Sequence, residues 1–254
     1  MKKSRSEVEQ RRRIIIDILS KEIDINADIL ALRLGVSPIT IRRDLDVLES
    51  KNRVTRSYGK VELQKTFIEF HNDLSEIENR KNQIAKRAVE FIDDGDTIFV
   101  NTSTTALLIL RYLKDKKVNI ITNNANAVFI PKDYRVNVLL TGGELREPKE
   151  SMTGEFALST LSKVTANKCF IGCSGITAET GITTKVLAEV AINELMLKNS
   201  TGLCIVLADS TKIGHNDSFV SSSLDEIDYL ITDRFADAKQ IGLIEKQNVN
   251  IIKV

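Results

Sequence analysis

Two different patterns of hydrophobic and polar residues divide this chain. Up to about residue 50 apolar residues recur at helical spacing, whereas beyond about residue 95 they form short strand-like runs separated by helical stretches. A charged stretch without a core pattern, from Lys65 to Arg80, lies between the two regions. The change of pattern predicts a small helical domain over residues 1–64, a connector over residues 65–80 and a larger domain over residues 81–254.

The N-terminal pattern predicts three short helices. The first covers about residues 7–20, and its inward-facing positions are Val8, Ile15, Ile18 and Leu19. The second begins after Asn26, which can cap its N-terminus, and ends at Gly35, which can adopt the left-handed conformation. Ser37 and Pro38 then occupy the cap and first-turn positions of a third helix. Two helices joined by so short a turn form a helix-turn-helix.

The third helix has two distinct faces. Its inward-facing positions, at helical spacing, are Ile41, Leu45 and Leu48. The candidate DNA-contacting residues lie near the N-terminal end of this helix, away from the inward-facing positions. They are Ser37, Ile39, Thr40, Arg42 and Arg43. An arginine can bond a guanine through two donors, so Arg43 is expected to read a base; Arg42, with Asp46 in i,i+4 range, is expected to meet a phosphate. A surface helix with two solvated arginines is the alternative reading of this helix alone.

Residues 53–63 predict a hairpin of two short strands around Tyr58-Gly59-Lys60, which would form a wing after the third helix. Arg53, Arg56 and Lys60 are expected to meet the sugar-phosphate backbone or an adjacent groove. Residues 1–60 carry 14 Lys and Arg against 9 Asp and Glu, a net +5, which leaves 22 against 26, a net −4, for residues 61–254. This asymmetry favours a polyanionic partner for the N-terminal region, and hence the DNA-binding interpretation.

The stretch GVSPITIRRDLDVL, Gly35 to Leu48, resembles the helix-turn-helix signature of the DeoR-type bacterial transcriptional regulators. That signature reads G-V-S-x-x-T-I-R-R-D-L-x-x-L, and every fixed position matches. The wing departs from the family, which usually has glycine at Asn52 and Gly-Gly at Gly59-Lys60. Asparagine tolerates the left-handed conformation, whereas the second change affects the shape of the wing tip. The resemblance implies a winged helix-turn-helix that binds double-stranded operator DNA.

The larger region alternates strand-like and helical patterns. The strand-like runs cover residues 96–100, 119–122, 136–143, 168–175, 202–209, 229–233 and 250–254. The helical stretches lie around residues 81–93, 104–114, 154–164, 184–199 and 236–247. Such alternation predicts an α/β domain with a mostly parallel sheet covered by helices.

Small polar residues follow several of these strands, at the edge where ligands bind in such sheets. Residues 101–105, NTSTT, open a helix, so their hydroxyl and backbone N–H groups could surround an anion. Similar loops cover residues 122–124, 141–143, 172–175 and 209–212. Five such loops facing one crevice suggest a small hydroxylated anion, although each loop alone could be an ordinary turn.

The DeoR resemblance continues through this region in TSTT, TNN, TGGELR, FIGCSGI, GITT, ADSTK and LITD. It implies a sensor domain similar in fold to ribose-5-phosphate isomerase and the coenzyme A transferases, with a phosphorylated sugar or related metabolite as effector. The TSTT loop would bind the phosphate, with Lys212 and Arg146 as charge partners. The candidate effector-binding residues are Asn101, Thr102, Ser103, Thr104, Thr105, Asn123, Gly142, Gly143, Arg146, Cys173, Ser174, Gly175, Thr183 and Lys212.

The family commonly reads D-S-G-T-T where Asn101 to Thr105 stand. Asn101 therefore replaces an aspartate, which removes repulsion toward an anion. Ser103 replaces a glycine, which narrows the available backbone conformations. Either change could alter which ligand fits.

Composition excludes several classes of protein. No apolar run approaches the roughly 20 residues of a membrane span, and the basic N-terminus lacks the apolar core of a secretion signal, so a cytoplasmic protein without a membrane partner is expected. The cysteines Cys169, Cys173 and Cys204 are odd in number and lie in or beside strand-like runs, which indicates buried reduced thiols. No metal site and no cofactor are expected. The isomerases of similar fold carry acidic residues where Cys173 and Ser174 stand, so an enzyme is not expected either.

The sequence thus predicts a repressor of a carbohydrate-metabolism operon. Because one helix-turn-helix makes few DNA contacts, a homo-oligomer, dimer or tetramer, is expected on a repeated or palindromic site. Two alternatives stay open. One is a regulator whose sensor domain serves only oligomerisation, and the other is a sugar-phosphate isomerase-like enzyme with a DNA-binding appendage.

Overall fold

The computed structural model describes residues 5–22, 25–50, 53–57, 60–63, 65–147 and 149–254. It divides into two compact units, Met1–Glu76 and Ile77–Val254. Asn52 and the wing-tip residues Tyr58 and Gly59 lie outside the described residues. None of the helices in the described ranges is long and apolar enough to cross a membrane.

The N-terminal unit contains the predicted helices and hairpin. Its elements are α1 (Arg5–Lys21), α2 (Ala27–Leu34), α3 (Pro38–Ser50), β1 (Val54–Ser57) and β2 (Lys60–Leu63). The two strands pair antiparallel, with Val54 opposite Leu63. A long helix, α4 (Lys65–Ala88), follows and crosses the boundary between the units, so the predicted connector is part of a continuous helix.

Local hydrogen bonds set the turn between α2 and α3. Asn26 caps α2 by accepting from the backbone N–H of Ile29 at 2.8 Å. Gly35 ends α2 with φ 60°, a conformation that glycine adopts without steric cost. The Ser37 hydroxyl accepts from the backbone N–H of Thr40 at 3.3 Å and so caps α3. These residues act as the sequence predicted.

The core of the N-terminal unit joins the helices to the hairpin. Its buried side chains are Ile15, Ile16, Leu19, Ile25, Leu30, Ala31, Ile41, Leu45, Leu48, Val54, Val61 and Leu63. Beside this core lies a buried carboxylate, Asp44 of α3, which the sequence did not single out as structural. Arg11 Nε donates to it at 2.6 Å and Arg12 Nε at 2.9 Å. Since a buried charge is tolerated only when paired, this contact fixes α3 against α1.

The C-terminal unit is an α/β domain. Its helices after α4 are α5 (Thr104–Leu107), α6 (Ile109–Tyr112), α7 (Glu155–Leu161), α8 (Leu187–Lys198) and α9 (Ala238–Glu245). Its strands are β3 (Thr97–Val100), β4 (Val118–Thr122), β5 (Val136–Leu140), β6 (Glu144–Arg146), β7 (Ser151–Thr153), β8 (Lys168–Ile171), β9 (Gly175–Thr177), β10 (Gly181–Thr184), β11 (Cys204–Leu207), β12 (Phe219–Ser222), β13 (Tyr229–Thr232) and β14 (Asn250–Lys253).

A seven-stranded parallel sheet forms the centre of this unit, in the order β14-β13-β11-β8-β3-β4-β5. The seven predicted strand-like runs are its seven strands, which confirms the predicted α/β class. The small antiparallel sheet β12-β10-β9 and the hairpin β6-β7 were not predicted. The helix predicted over residues 104–114 is instead two short helices separated at Leu108.

Both faces of the parallel sheet are buried. In β8, Cys169 and Ile171 pack into one hydrophobic cluster and Phe170 into the other. Helices α8 and α9 contribute to the first cluster, and α4, α5 and α6 to the second. Burial on both faces explains the nearly continuous apolar runs in the sequence, and it leaves the ends of the strands as the place for polar groups.

Candidate functional site

The outward face of α3 presents the predicted DNA-contacting side chains to solvent. Ile39 is 62% exposed, and Arg42 and Arg43 are exposed. Neither arginine forms an ion pair with another residue in the described part of the chain. Thr40 Oγ1 lies 2.9 Å from Ser37 Oγ, so these two hydroxyls hold each other at the start of the helix. The exposed cations at this end of α3 are therefore available to a polyanion.

The wing carries its cations differently. Arg56 Nη2 donates to Asp46 Oδ1 at 2.7 Å, and Arg56 Nε donates to Glu49 Oε2 at 3.0 Å. Asp46 thus pairs with the wing instead of with Arg42. The hydrogen bond from Arg56 lowers the pKa of the Glu49 carboxyl below its ordinary value. Arg53 precedes β1 and Lys60 begins β2, and both are exposed.

A cavity of about 520 Å³ opens at the carboxyl ends of the parallel strands. The loops that follow β3, β8 and β11 form part of its wall, together with residues before and within α8. The predicted residues that line it are Asn101, Thr102, Ser103, Thr104, Thr105, Arg146, Cys173, Ser174 and Lys212. The structure therefore brings residues from distant parts of the sequence to one crevice, at the sheet edge where ligands bind in such folds.

Within the NTSTT loop, several polar groups already have partners. The Ser103 hydroxyl accepts from the backbone N–H of Ala106 at 3.4 Å, which caps α5. Thr102 Oγ1 donates to Glu189 Oε1 at 3.1 Å. Thr104 is exposed and Thr105 is 4% exposed, and both border the cavity. A ligand here would join an existing network of hydrogen bonds.

Asn101 has a structural reason to be an amide. Its Nδ2 donates to the carbonyl of Gly172 at 2.9 Å and to Asn193 Oδ1 at 3.0 Å, while its Oδ1 accepts from the backbone N–H of Gly172 at 3.0 Å. An ionised aspartate could not make the first two bonds because it has no donor. The departure from the family pattern at this position is thus matched by Asn193 across the cavity wall.

The cavity wall carries more positive than negative groups. Among the residues described, its cationic side chains are Lys81, Arg146, Lys149, Lys185 and Lys212, and its acidic ones are Glu147, Glu189 and Asp209. Lys149 Nζ lies 3.6 Å from Glu189 Oε1. The excess of cations suits a small anionic ligand.

Five predicted effector-binding residues are not among those that line the cavity, namely Asn123, Gly142, Gly143, Gly175 and Thr183. Asn123 Nδ2 donates to the carbonyl of Met152 at 3.2 Å. Thr183 is fully buried, and its hydroxyl donates to the carbonyl of Gly175 at 3.1 Å. Gly142 and Gly143 have φ of 72° and 113°, in the turn before β6. In the structure these residues support turns and strands around the site.

The effector-binding residues predicted from the sequence did not include several other residues of the wall. These include Lys81, Lys149, Thr184, Lys185, Glu189 and Asn193. Thr184 belongs to the recognised GITT stretch, so a signal for it was present. Lys81 and Asn193 lie on helices, and no local pattern in the sequence distinguishes them from other helical positions.

Cys173 borders the cavity but is not suited to nucleophilic chemistry. Burial raises the pKa of its thiol to about 12, so it stays protonated at neutral pH. In the described ranges no group of three or more His, Cys, Asp or Glu residues could hold a metal ion.

Comparison with known proteins accounts for both units. Residues 11–67 match the model of the DeoR-like helix-turn-helix domain, and residues 76–234 match that of the DeoR C terminal sensor domain. The chain belongs to the DeoR family. This DeoR-family chain is therefore a DNA-binding transcriptional regulator.

Relatives resemble it over most of their length. The HTH-type transcriptional regulator GlpR of Haloferax volcanii is 31% identical over 96% of both chains. The glycerol-3-phosphate regulon repressor of Escherichia coli is 29% identical over 88% of this chain and 90% of its own. Ribose 5-phosphate isomerase A of Methanocaldococcus jannaschii has a TM-score of 0.39 and 20% identity over 53% of this chain and 54% of its own, a likeness too slight to support a functional comparison.

Proposed function

We propose that this DeoR-family regulator represses an operon of carbohydrate metabolism and that a phosphorylated sugar, bound in the strand-end cavity, controls its affinity for operator DNA. The observation that carries the proposal is the cavity itself, about 520 Å³ in volume and lined by the NTSTT loop and five cationic side chains. Its size lies within the range of small-molecule sites, roughly 300 to 1,000 Å³. Hydroxyl groups and cations together suit a ligand that carries both hydroxyls and a phosphate.

DNA binding is assigned to the first unit. Arg43, with Thr40 and Ile39, reads base edges in the major groove, and Arg42 contacts a phosphate. Ser37 fixes the start of the helix, and Arg53, Arg56 and Lys60 of the wing contact the backbone. A homo-oligomer, dimer or tetramer, places two such helices on a palindromic or repeated operator.

The effector acts by shifting an equilibrium. A ligand changes DNA affinity only to the extent that it binds one state of the protein more tightly than the other. The name of the Escherichia coli relative refers to a phosphorylated polyol, which supports an effector of this class. Thr104, Thr105 and Lys212 contact its phosphate in the proposed complex.

Substitution of the exposed Thr104 together with the buried Thr105 tests this assignment. Thr104→Ala combined with Thr105→Ala is expected to abolish the effect of a responsive sugar phosphate on DNA binding. Operator affinity without ligand is expected to stay within about twofold of wild type, because both threonines belong to the C-terminal unit. Lys212→Ala is expected to weaken the response, more strongly at low salt.

The measurement is a titration of operator DNA, selected from randomised duplexes, with and without each of a panel of sugar phosphates. Ser159→Ala with Ser162→Ala, which removes exposed hydroxyls of the same unit outside the cavity, is the matched control. Thermal unfolding must be followed in parallel, since a damaged domain would mimic an uncoupled one. A folded double-threonine variant with an unchanged response would place the phosphate elsewhere. Failure of the whole panel to bind would favour a purely oligomerising domain, and turnover of a bound sugar phosphate would favour an enzyme.

A further inference from the structure

A buried carboxylate, Glu189, forms part of the cavity wall. It lies in the first turn of α8, and the residue is only 4% exposed. Removing a carboxylate from water costs free energy unless hydrogen bonds or an opposite charge compensate. A negative group in a cavity suited to anions therefore needs a physical explanation.

The hydrogen bonds of Glu189 leave part of its accepting capacity unused. Thr102 Oγ1 donates to Oε1 at 3.1 Å and Thr184 Oγ1 donates to Oε2 at 2.7 Å. Lys149 Nζ, 3.6 Å from Oε1, supplies the opposite charge. An ionised carboxylate can accept about four hydrogen bonds, and Glu189 lines the cavity, so a group in the cavity can donate a further hydrogen bond to it.

The position of Glu189 restricts what can lie against it. Through Thr102 it is joined to the loop that holds the phosphate in the proposed complex. A phosphate or carboxylate placed directly against Glu189 would be repelled, and the partial exclusion of water around this buried side chain strengthens that repulsion. A neutral hydroxyl group would instead donate a charge-assisted hydrogen bond, about twice as strong as one between neutral groups. The part of the ligand that meets Glu189 should thus carry hydroxyls.

We propose that Glu189 recognises a hydroxyl group of the effector and thereby selects phosphorylated polyols and sugars over phosphate esters that lack hydroxyls. The inference rests on the proposed function of the cavity. It assigns two chemically distinct regions, with cations and threonines for the phosphate and a buried carboxylate for the hydroxylated carbon chain. Glu189 acts as a specificity residue, so its removal should change selectivity more than it changes affinity for phosphate.

Calorimetry with hydroxylated and hydroxyl-free phosphates tests the proposal. The hydroxylated probes are glucose 6-phosphate, fructose 6-phosphate, ribose 5-phosphate and glycerol 3-phosphate, and the reference is propyl phosphate, a monoester without a hydroxyl group. The measured quantity is the ratio of the Kd of propyl phosphate to that of the tightest hydroxylated probe. Wild type is expected to give a ratio of at least about tenfold, and Glu189→Gln to lower it by about tenfold, since a neutral amide oxygen accepts a weaker hydrogen bond than a carboxylate does. The Kd of propyl phosphate should not rise, because Glu189→Gln removes a negative charge and no donor that could contact the phosphate.

Glu194→Gln supplies the matched control, because Glu194 is an exposed carboxylate on the same helix and does not line the cavity. It is expected to leave the ratio unchanged. Thermal unfolding of each variant shows whether the fold survives. If Glu189→Gln does not fold, Glu189→Asp replaces it, since aspartate keeps the charge and withdraws the oxygens by one methylene group; a drop of at least about fivefold in the ratio supports the proposal and an unchanged ratio overturns it.

The outcomes separate this inference from the proposed function. If the hydroxylated probes bind with a preference that Glu189→Gln leaves intact, the role of Glu189 is overturned while the sugar-phosphate site stands. If wild type binds propyl phosphate as tightly as every hydroxylated probe, hydroxyl recognition is overturned and a phosphate site remains. If none of the probes binds wild type, the proposed effector class fails, and the role of Glu189 fails with it.

Discussion

The outward face of α3 and the strand-end cavity both offer polar groups to a ligand, but they hold those groups in opposite ways. On α3, Arg42 and Arg43 are exposed to solvent without an ion pair in the described part of the chain. In the cavity wall, Asn101, Thr102 and Glu189 are each at most 4% exposed and are hydrogen bonded to neighbouring groups. The α3 face is therefore solvated and can bind a partner directly, whereas a ligand of the cavity must form hydrogen bonds with groups that already have partners.

This difference determines what a mutation reports. A substitution on an exposed helix face removes contacts with DNA and leaves the fold nearly untouched. A substitution in a buried polar network leaves other groups without partners, so it changes stability and binding together. Substitutions on the α3 face should therefore change binding without changing stability, whereas substitutions in the cavity network should change both.

The largest expected effect is at Asp44, which is buried beneath the exposed face of α3. A substitution there should change stability although it lies on the DNA-binding helix, which would be an exception to the comparison. Asp44→Asn should lower the free energy of unfolding by about 3 to 4 kcal/mol, since removing one partner from a buried ion pair costs roughly 3 to 5 kcal/mol and Arg11 and Arg12 keep some solvent contact. Urea unfolding followed by circular dichroism measures it. Asp46→Asn, an exposed carboxylate on the same helix, should leave stability nearly unchanged. Equal effects of the two substitutions would mean that Asp44 does not support the helix.

The second prediction concerns the cavity network. Asn101→Asp should destabilise the C-terminal unit by about 2 to 3 kcal/mol, because a carboxylate would face two acceptors, the Gly172 carbonyl and Asn193 Oδ1, without a proton to donate. Thermal unfolding measures the loss. Asn137→Asp, an exposed asparagine of β5, is the matched control and should change stability by less than about 0.5 kcal/mol. An Asn101→Asp variant as stable as wild type would show that the amide donor is not needed.

The same contrast explains how far the sequence could predict each surface. The faces of α3 follow from the helical period, and Gly35 and Ser37 set the turn through local hydrogen bonds, so a short stretch of sequence was sufficient. The cavity was predicted as a place, because polar loops follow parallel strands. Its individual residues were less predictable, as Thr183 and Thr184 illustrate. They are neighbours in β10, yet the first donates to the Gly175 carbonyl and only the second reaches Glu189.

Residues on helices were beyond local reasoning. Whether Lys81 or Asn193 borders the cavity depends on how α4 and α8 pack on the sheet, and that packing involves residues far apart in sequence. The pairing of Arg56 with Asp46 and Glu49 similarly joins a strand to a preceding helix. Spacing within one element contains no information about such contacts.

The third prediction would sharpen the comparison on the DNA side. Arg43→Ala should weaken operator binding by about 1 to 3 kcal/mol and relax the preference at one base pair. Arg42→Ala should weaken binding to all sequences and reduce the salt slope, the slope of log binding constant against log salt concentration, by about one unit. Neither should change thermal stability measurably, because both side chains are exposed. Binding to operator and to single-base variants over a range of salt concentrations separates the two roles. Equal loss of specificity from both would show that the reading face of the helix is assigned incorrectly.

The smallest expected effect concerns Arg56. Like the α3 arginines it is exposed, but like the side chains of the cavity wall it is hydrogen bonded to neighbouring groups. It is predicted to contact the DNA backbone, yet here it is held by Asp46 and Glu49 of α3. Because these carboxylates compete with phosphate for one guanidinium, we expect Arg56 to exchange partners when DNA binds. Arg56→Ala should then reduce the salt slope of DNA binding by about one unit, while affinity falls by less than about tenfold.

Removing the competitor should have the opposite effect. Glu49→Gln should tighten DNA binding by less than about fivefold, because it frees Arg56 from one carboxylate and removes a negative charge near the phosphates. Lowering the pH should act in the same direction. Arg56 depresses the pKa of Glu49, so the pair is intact at neutral pH and is lost only as the pH falls through that lowered value. Salt and pH titrations of wild type, Arg56→Ala and Glu49→Gln distinguish the possibilities: if Arg56→Ala leaves the salt slope unchanged and Glu49→Gln fails to tighten binding, Arg56 holds the wing to α3 and does not contact DNA.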